Sequence, residues 1–219
     1  MKKYDIHIHS YYSPCSVISP ETILNRAKKA GLDGIAITDH HTMKAYPLLK
    51  KLNKDKNLEI IPGEEISTNY GDVVALYIYK EIKSRDLLTV LKEIRSQGGI
   101  AIIPHPSTIT HRLSFTYPLS KLKGKVDAVE TFNSRNFKFS NDAALKEALK
   151  LNFPQTGSSD AHLPFDIGRG YTLFEGDLRT ALKKGKTTPG GTNKFGLLSF
   201  LISVFYKYPI GIIRVKKWK

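Results

Sequence analysis

Short apolar runs alternate along this chain with stretches whose apolar residues recur at helical spacing. "YDIHIH" at 4–9 reads as a first strand. "SPETILNRAKKAG" at 19–31 reads as a helix, with Ser19 as N-cap, Pro20 at the first helical position and Gly31 at its end. "GIAITDH" follows as a strand, then a helix through "AYPLLKKLN" and a strand "LEIIPGEEIS". Next come a strand "DVVALYIY", a helix "SRDLLTVLKEIRSQGG", strands "IAIIPHP" and "DAVETFN", a helix "NDAALKEALKLN" and a strand "FPQTGSSDAH". Several of these strands are unbroken apolar runs, as expected when both faces of a sheet are covered. Strand and helix in alternation predict βα units around a largely parallel sheet.

The polar residues able to do chemistry gather at the C-terminal ends of these strands. His7 and His9 sit there, as do Asp39 and His40, Glu64 and Glu65, His105, Glu130 and Asn133, and Asp160 and His162. Five of the seven histidines fall at such ends, the face on which a β/α barrel builds its site. His7 and His9 are two residues apart on one strand, so their side chains point the same way. Paired imidazoles suit a metal ion, and the convergence of further histidines and carboxylates favours that reading over exposed strand histidines.

Composition adds bounds. At 219 residues, with 41% apolar and 25% charged residues, the chain fits one globular domain. One cysteine, Cys15, allows no internal disulfide and suits a reducing, cytoplasmic setting. The first apolar segment is too short and too polar for a secretory signal. The net charge of +14 is uneven: ten basic residues and no Asp or Glu follow Asp177. The body is thus only mildly basic, and overall charge alone does not specify a nucleic-acid partner.

"DIHIHSYYSPCS", "GIAITDHHT", "IPGEEIS", "IPHP" and "GSSDAH" together resemble, in order and spacing, the PHP (polymerase and histidinol phosphatase) family of metal-dependent phosphoesterases. The resemblance implies a distorted (β/α)7 TIM-like barrel over residues 1–190, with 191–219 as a separate apolar, basic tail. It also implies two or three divalent ions (manganese, zinc or iron, with magnesium as a further option) and hydrolysis of phosphate esters. His7, His9 and Asp160 resemble ligands of a first ion, Glu65 a bridge between ions, and His105 a ligand of a second. His40 and His162 would hold a third. Asp39 points to the other strand face, which suggests a supporting role, and Glu64 resembles a neighbour of the site rather than a ligand.

The chain departs from the family pattern in two places. Where many members carry an Asp or His after the HxH pair, this chain has Pro14 and Cys15. A thiolate is a competent soft ligand that prefers zinc or iron to magnesium; the alternative is a small thiol packed beside the site. The stretches "DVVALYIY" and "VETFNSR" lack the histidine of some relatives, which leaves Glu130 and Asn133 as oxygen donors for the second ion. Arg135 and Arg169 are candidate phosphate-binding groups, since a guanidinium can hold phosphate through two parallel hydrogen bonds. Arg135 joins Glu65, His105 and Asp160 as the expected catalytic set. His41 and His111 lie off the pattern, and Tyr11 and Tyr12 either line the mouth or pack a loop.

"TTPGG" at 187–191 reads as a linker or turn. The stretch beyond it, interrupted by Lys207 and Pro209, is too short in its apolar runs for a membrane span. It reads as a helix packed on the barrel, or as an interfacial membrane anchor with Trp218 and terminal lysines, with nucleic-acid contact as a third option.

The expected function is hydrolysis of a phosphomonoester, nucleotide or short oligonucleotide phosphate by metal-activated water. The alternative is a non-catalytic metal-binding module on a membrane surface or RNA, against which stands the complete set of family motifs. Hydrolysis of a non-phosphate bond, as in amidohydrolase-like barrels, is disfavoured because those usually bridge their ions with a lysine, where this chain offers Glu65. The oligomeric state is not legible.

Overall fold

Local chemistry sets the helix ends. Ser19 accepts a hydrogen bond from the Thr22 N–H and so caps α1 (Pro20–Lys29); Gly31 turns the chain out with φ +62°. Asp86 caps α3 (Leu87–Ser96) in the same way through the Thr89 N–H. These elements belong to a computed structural model that describes residues 1–108, 114–194, 196, 198–199 and 201–202. The remaining helices are α2 (Ala45–Leu52), α4 (Lys138–Lys150) and α5 (Leu178–Lys183). The strands are β1 (Lys2–Ile8), β2 (Gly34–Ile37), β3 (Glu59–Thr68), β4 (Gly71–Leu76), β5 (Ile100–Ile103), β6 (Ala128–Asn133), β7 (Gln155–Ser158), β8 (Gly170–Phe174) and β9 (Thr187–Gly191).

The nine strands form one sheet in the order β7-β6-β5-β4-β3-β2-β1-β8-β9. It curls until its ends nearly meet, giving the expected α/β barrel. Beyond the end of β7, Ala161 reaches β1 by accepting from the His9 N–H at 3.0 Å and donating its own N–H to His7 O at 3.3 Å. Strands β8 and β9 cover the remaining seam, with the Thr172 hydroxyl bonded to both N–H and C=O of Gly157. Gly170 makes that approach possible: a Cβ there would lie 1.9 Å from Ser158 O. Gly170→Ala should therefore destabilise the fold by about 3 kcal/mol or more, since the clash is with backbone; chemical denaturation would read this as a lower midpoint.

Two expectations need correction. "DVVALYIY" forms a shorter strand than expected, β4, and it runs antiparallel to both β3 and β5. "TTPGG" is no linker: it is β9, paired antiparallel with β8 from Thr187↔Phe174 to Gly170↔Gly191. Its glycines fit because Cβ atoms at Gly190 and Gly191 would press on Tyr171 and Arg169. The expected boundary after residue 190 consequently falls inside this strand. The expectations for the tail at 203–219, Trp218 included, lie outside the described residues, as does His111. Among the described residues, no helix is long and apolar enough to cross a membrane.

The lower barrel interior is packed with Tyr4, Ile6, Ala36, Ile61, Val74, Ile102 and Phe174. Helices α1 and α2 cover the outside through Ile23, Ala27 and Leu49, which pack with Ile8 and Ile37. Strict alternation would put Ile6 and Ile8 on one face, yet they belong to different layers. A register shift between Asp5 and Ile8 explains it. This bulge inserts a residue into β1, reverses its phase and turns His7 and His9 inward above the apolar plug. A second shift, between Glu130 and Phe132 in β6, brings Asn133 round to face Glu130, its side-chain N–H donating to Glu130 Oε2 at 2.9 Å.

Candidate metal centre

The strand ends bring four groups of donors together, each with ligand atoms within 4.8 Å of one another: His7, His9 and Glu65; His9, Asp160 and His162; Glu65, Asp72 and His105; and His9, Cys15 and His40. His9 belongs to three of them and Glu65 to two. His7 Nε2 and His9 Nε2 are 3.2 Å apart. Glu65 Oε2 lies 3.4 Å from His7 Nε2, 3.2 Å from His9 Nε2 and 3.3 Å from His40 Nδ1. Asp160 Oδ1 stands 3.4 Å from His9 Nε2 and 3.7 Å from His7 Nε2, and Glu65 Oε1 stands 3.3 Å from His105 Nε2. Such separations are those of ligands sharing one ion at bond lengths of about 2.1 Å. The donor set, imidazole and carboxylate with one thiol at its edge, fits divalent metal ions: the imidazoles and thiol match zinc or iron, the carboxylates manganese or magnesium.

Backbone geometry at the rim is unusual. His105 and Asp160 hold φ values of +28° and +52°, a region that non-glycine residues occupy at a cost of order 1–3 kcal/mol and that clusters at functional sites.

The layer behind the donors fixes their tautomers. Glu130 is deeply buried; burial opposes its charge, but His7 outweighs that and holds its carboxyl below the ordinary value. It is thus an acceptor, and the Nδ1–H of His7 donates to Oε1 at 3.2 Å, which makes Nε2 the atom presented to an ion. Burial opposes protonation of His7, but Glu65, Asp160 and Glu130 raise it well above the ordinary imidazole value, so an ion must displace the Nε2 proton. Glu130 also accepts from the His105 N–H, Asn133 and the Ser158 hydroxyl. It enters none of the four donor groups. Glu130 and Asn133, the expected oxygen donors, stand hydrogen-bonded among these side chains. Their oxygens and protons are engaged in holding His7, His105 and Asp160.

Asp39 works likewise on the other side. It accepts from the Ser10 N–H, the Ser10 hydroxyl and the Ser13 hydroxyl. With its own proton donated to Asp39, Ser13 Oγ accepts from the His40 N–H at 2.9 Å and from His9 Nδ1–H at 3.3 Å. His9 Nε2 is thereby left free for an ion. Ser13→Ala should weaken metal binding about 10- to 100-fold while leaving the thermal transition of the metal-free protein within a few degrees; a competition titration with a metal-sensitive dye reads the first.

Asp72 was not anticipated. It sits on β4 opposite Ser67 and on the same sheet face as Glu65. Its Oδ1 is buried without a hydrogen-bond partner. Burial, and then the charge of Glu65, push its carboxyl up to about 6. The clue was a glycine-containing "TNYG" between two strand patterns, the mark of a hairpin, which places Asp72 beside the end of β3.

Charge in the cluster is finely divided. Burial disfavours ionised Glu65, but the charged imidazoles of His7 and His105, which also hydrogen-bond to it, hold its carboxyl well below the usual range. Burial lowers His40 to about 4, and burial with the adjacent Arg135 lowers His162 strongly; both are neutral, ready ligands. Burial opposes protonation of His105 too, yet Glu65 and Asp160 lift it to about 9. A divalent ion must displace that proton. Binding at pH 7 should therefore release protons from His105 and from His7, which the carboxylates also raise, and affinity should rise with pH through about 9. Calorimetry in buffers of different ionisation enthalpy would measure the release.

Arg135 is buried, touches His162 Nδ1 and lies 3.8 Å from Asp160 Oδ1, so the expected cation is at the site. Arg169 instead donates to Phe165 O at 2.7 Å and stacks its guanidinium on that ring. Glu64 points away and accepts from the Ile82 N–H. Tyr12 packs with the α1 layer. His41 joins none of the donor groups.

Family models match this chain over residues 5–94, as the PHP domain, and over residues 138–187, as the PHP-associated region. A protein of Methanocaldococcus jannaschii, itself uncharacterised, is 34% identical over 166 residues, covering 68% of this chain and 92% of the relative. A 5′-3′ exoribonuclease of Haemophilus influenzae is 39% identical over 106 residues, which span 46% of this chain but only 38% of that enzyme. The fold is shared with a candidate metal-dependent phosphoesterase from Bifidobacterium adolescentis, at a TM-score of 0.61 and 16% identity over 74% of this chain and 88% of that one. The matched ranges contain His7, His9, His40, Glu65, Asp72, Asp160 and His162 of the barrel mouth, and the chain belongs to the PHP family.

Proposed function

We propose that this protein hydrolyses phosphate esters with two or three divalent ions held in the barrel mouth, and that its substrates are nucleotides or short oligonucleotides with a 5′ phosphate. The observation that carries this reading is the meeting of His7, His9, Glu65 and Asp160 with donor atoms 3.2–3.7 Å apart. His7, His9 and Asp160 would hold one ion, Glu65 would join it to a second held by Asp72 and His105, and His40, Cys15 and His162 would complete a third position. Ions bound there would supply Lewis-acid charge for the phosphoryl oxygens and lower the pKa of a coordinated water toward about 7.

The residues of the chain do the rest. Glu130 and Ser13 keep His7 and His9 presenting Nε2. Arg135, set against Asp160 and His162, can turn its guanidinium to the phosphoryl group once divalent charge offsets the carboxylates, giving a bidentate hold that orients the ester. The exoribonuclease relative supports a nucleotide-type substrate.

The test is phosphate release from a panel of nucleotides, sugar phosphates and 5′-phosphorylated oligonucleotides, with Mn²⁺ and again after chelation. Release is expected from the nucleotide members, lost on chelation and lost in His9→Ala. No release from any ester by protein shown to hold its ions would overturn the reading in favour of a metal-binding module.

A further inference from the structure

The opposite end of the barrel carries a cavity of about 790 Å³, within the size range of small-ligand sites. It opens beside the start of β1, about 20 Å from His9 along the strand. Lys2, Lys50, Lys54 and Lys56 line it, with Tyr46, Tyr77 and Tyr79. Its two carboxylates are turned to internal bonds: Asp55 accepts from the Asn57 N–H at 2.9 Å, and Glu59 from the Tyr4 hydroxyl at 2.5 Å.

We propose that this groove is a second site that binds a nucleotide, its phosphate among the lysines and its base against an exposed tyrosine ring. Tyr77 points independently to a ligand. It is only 8% exposed, and its hydroxyl is buried without a hydrogen-bond partner. Its backbone is held at φ +58°, and the Arg179 guanidinium lies 4.1 Å over its ring. A buried donor left unpaired on a strained residue is the mark of a clamp that a ligand completes. A phosphate oxygen would accept a hydrogen bond from that hydroxyl. Tyr79 is 67% exposed, while its backbone N–H is tied to Gln97 Oε1 at 3.0 Å. The ring is thus offered to solvent from a fixed point, the arrangement on which bases stack. The base and phosphate could belong to a free nucleotide or to one end of a single strand.

The experiment titrates chelator-treated full-length protein with 5′-AMP, adenosine, inorganic phosphate and a 5′-phosphorylated oligoadenylate. Chelation silences the metal centre, so failure here leaves the hydrolase reading standing. AMP should bind more tightly than adenosine or phosphate. The Lys50→Ala/Lys54→Ala/Lys56→Ala protein should bind it at least tenfold more weakly, and Tyr77→Phe and Tyr79→Ala severalfold more weakly. His9→Ala should bind it unchanged. Tighter binding of the oligoadenylate assigns the groove to a strand, and equal binding assigns it to a free nucleotide. Absence of AMP binding, or binding that survives the lysine changes but not His9→Ala, overturns the proposal.

Discussion

Replacing Glu65 by glutamine is expected to lower metal-dependent phosphate release by about a hundredfold or more while the protein stays folded. The side chain keeps its size, so the barrel mouth remains packed. What disappears is one negative charge, buried at 2% exposure and facing His7, His9, His40 and His105. Loss of a partner that merely supports a metal ligand already costs about 10- to 100-fold in metal affinity or activity, and loss of a shared anionic donor costs at least the upper end of that range. Because Glu65 belongs to two donor groups, the change should weaken two ions together. A second readout follows from the sign of the His105 shift. Burial lowers its pKa and the carboxylates raise it to about 9. Without Glu65 it should fall, so proton release on metal binding at pH 7 should shrink. A variant that keeps full activity and full proton release would sink the assignment.

Glu130→Gln is the second large effect, and it separates holding a ligand from being one. Glu130 accepts from His7, Ser158, Asn133 and the His105 N–H. A glutamine offers one oxygen and one amide, so at least one of these donors meets an N–H. A buried donor left unmatched costs about 1–3 kcal/mol, and loss of the tautomer lock on His7 should weaken metal binding about 10- to 100-fold. The number of ions bound at saturation should not change. If saturating metal shows one ion fewer in Glu130→Gln, then Glu130 is itself a ligand and the arrangement behind His7 needs revision.

The barrel, its helices and the clustering of histidines and carboxylates at the strand ends are legible because they rest on local rules. Ser19 and Pro20 start α1, apolar runs mark buried strands, and chemistry falls at strand ends. What escaped depends on the relation between distant segments. No alternation rule shows the bulges that turn His7, His9 and Asn133 inward; they follow from how β1 pairs with β2 and β6 with β7. Asp72 is hidden in the sequence because "DVVALYIY" reads as one more strand of a largely parallel sheet, whereas the antiparallel pairing of β4 sets the residue beside Glu65. Glu130 is an oxygen donor by residue type, and only the fold shows the four groups that hydrogen-bond to it. "TTPGG" carries every mark of a turn, yet the same small residues let β9 lie against β8 at the seam. Cys15 was left open between ligand and bystander, and the fold brings it together with His9 and His40.

The most direct test of the centre is a count of bound ions by elemental analysis of chelator-stripped protein reloaded with Mn²⁺ or Zn²⁺, beside the His9→Ala variant. Since His9 belongs to three of the four donor groups, wild-type protein should hold two or more ions per chain and the variant no more than one. Fewer than one ion per chain in the wild type, or a content untouched by the loss of His9, would contradict a centre built around this histidine.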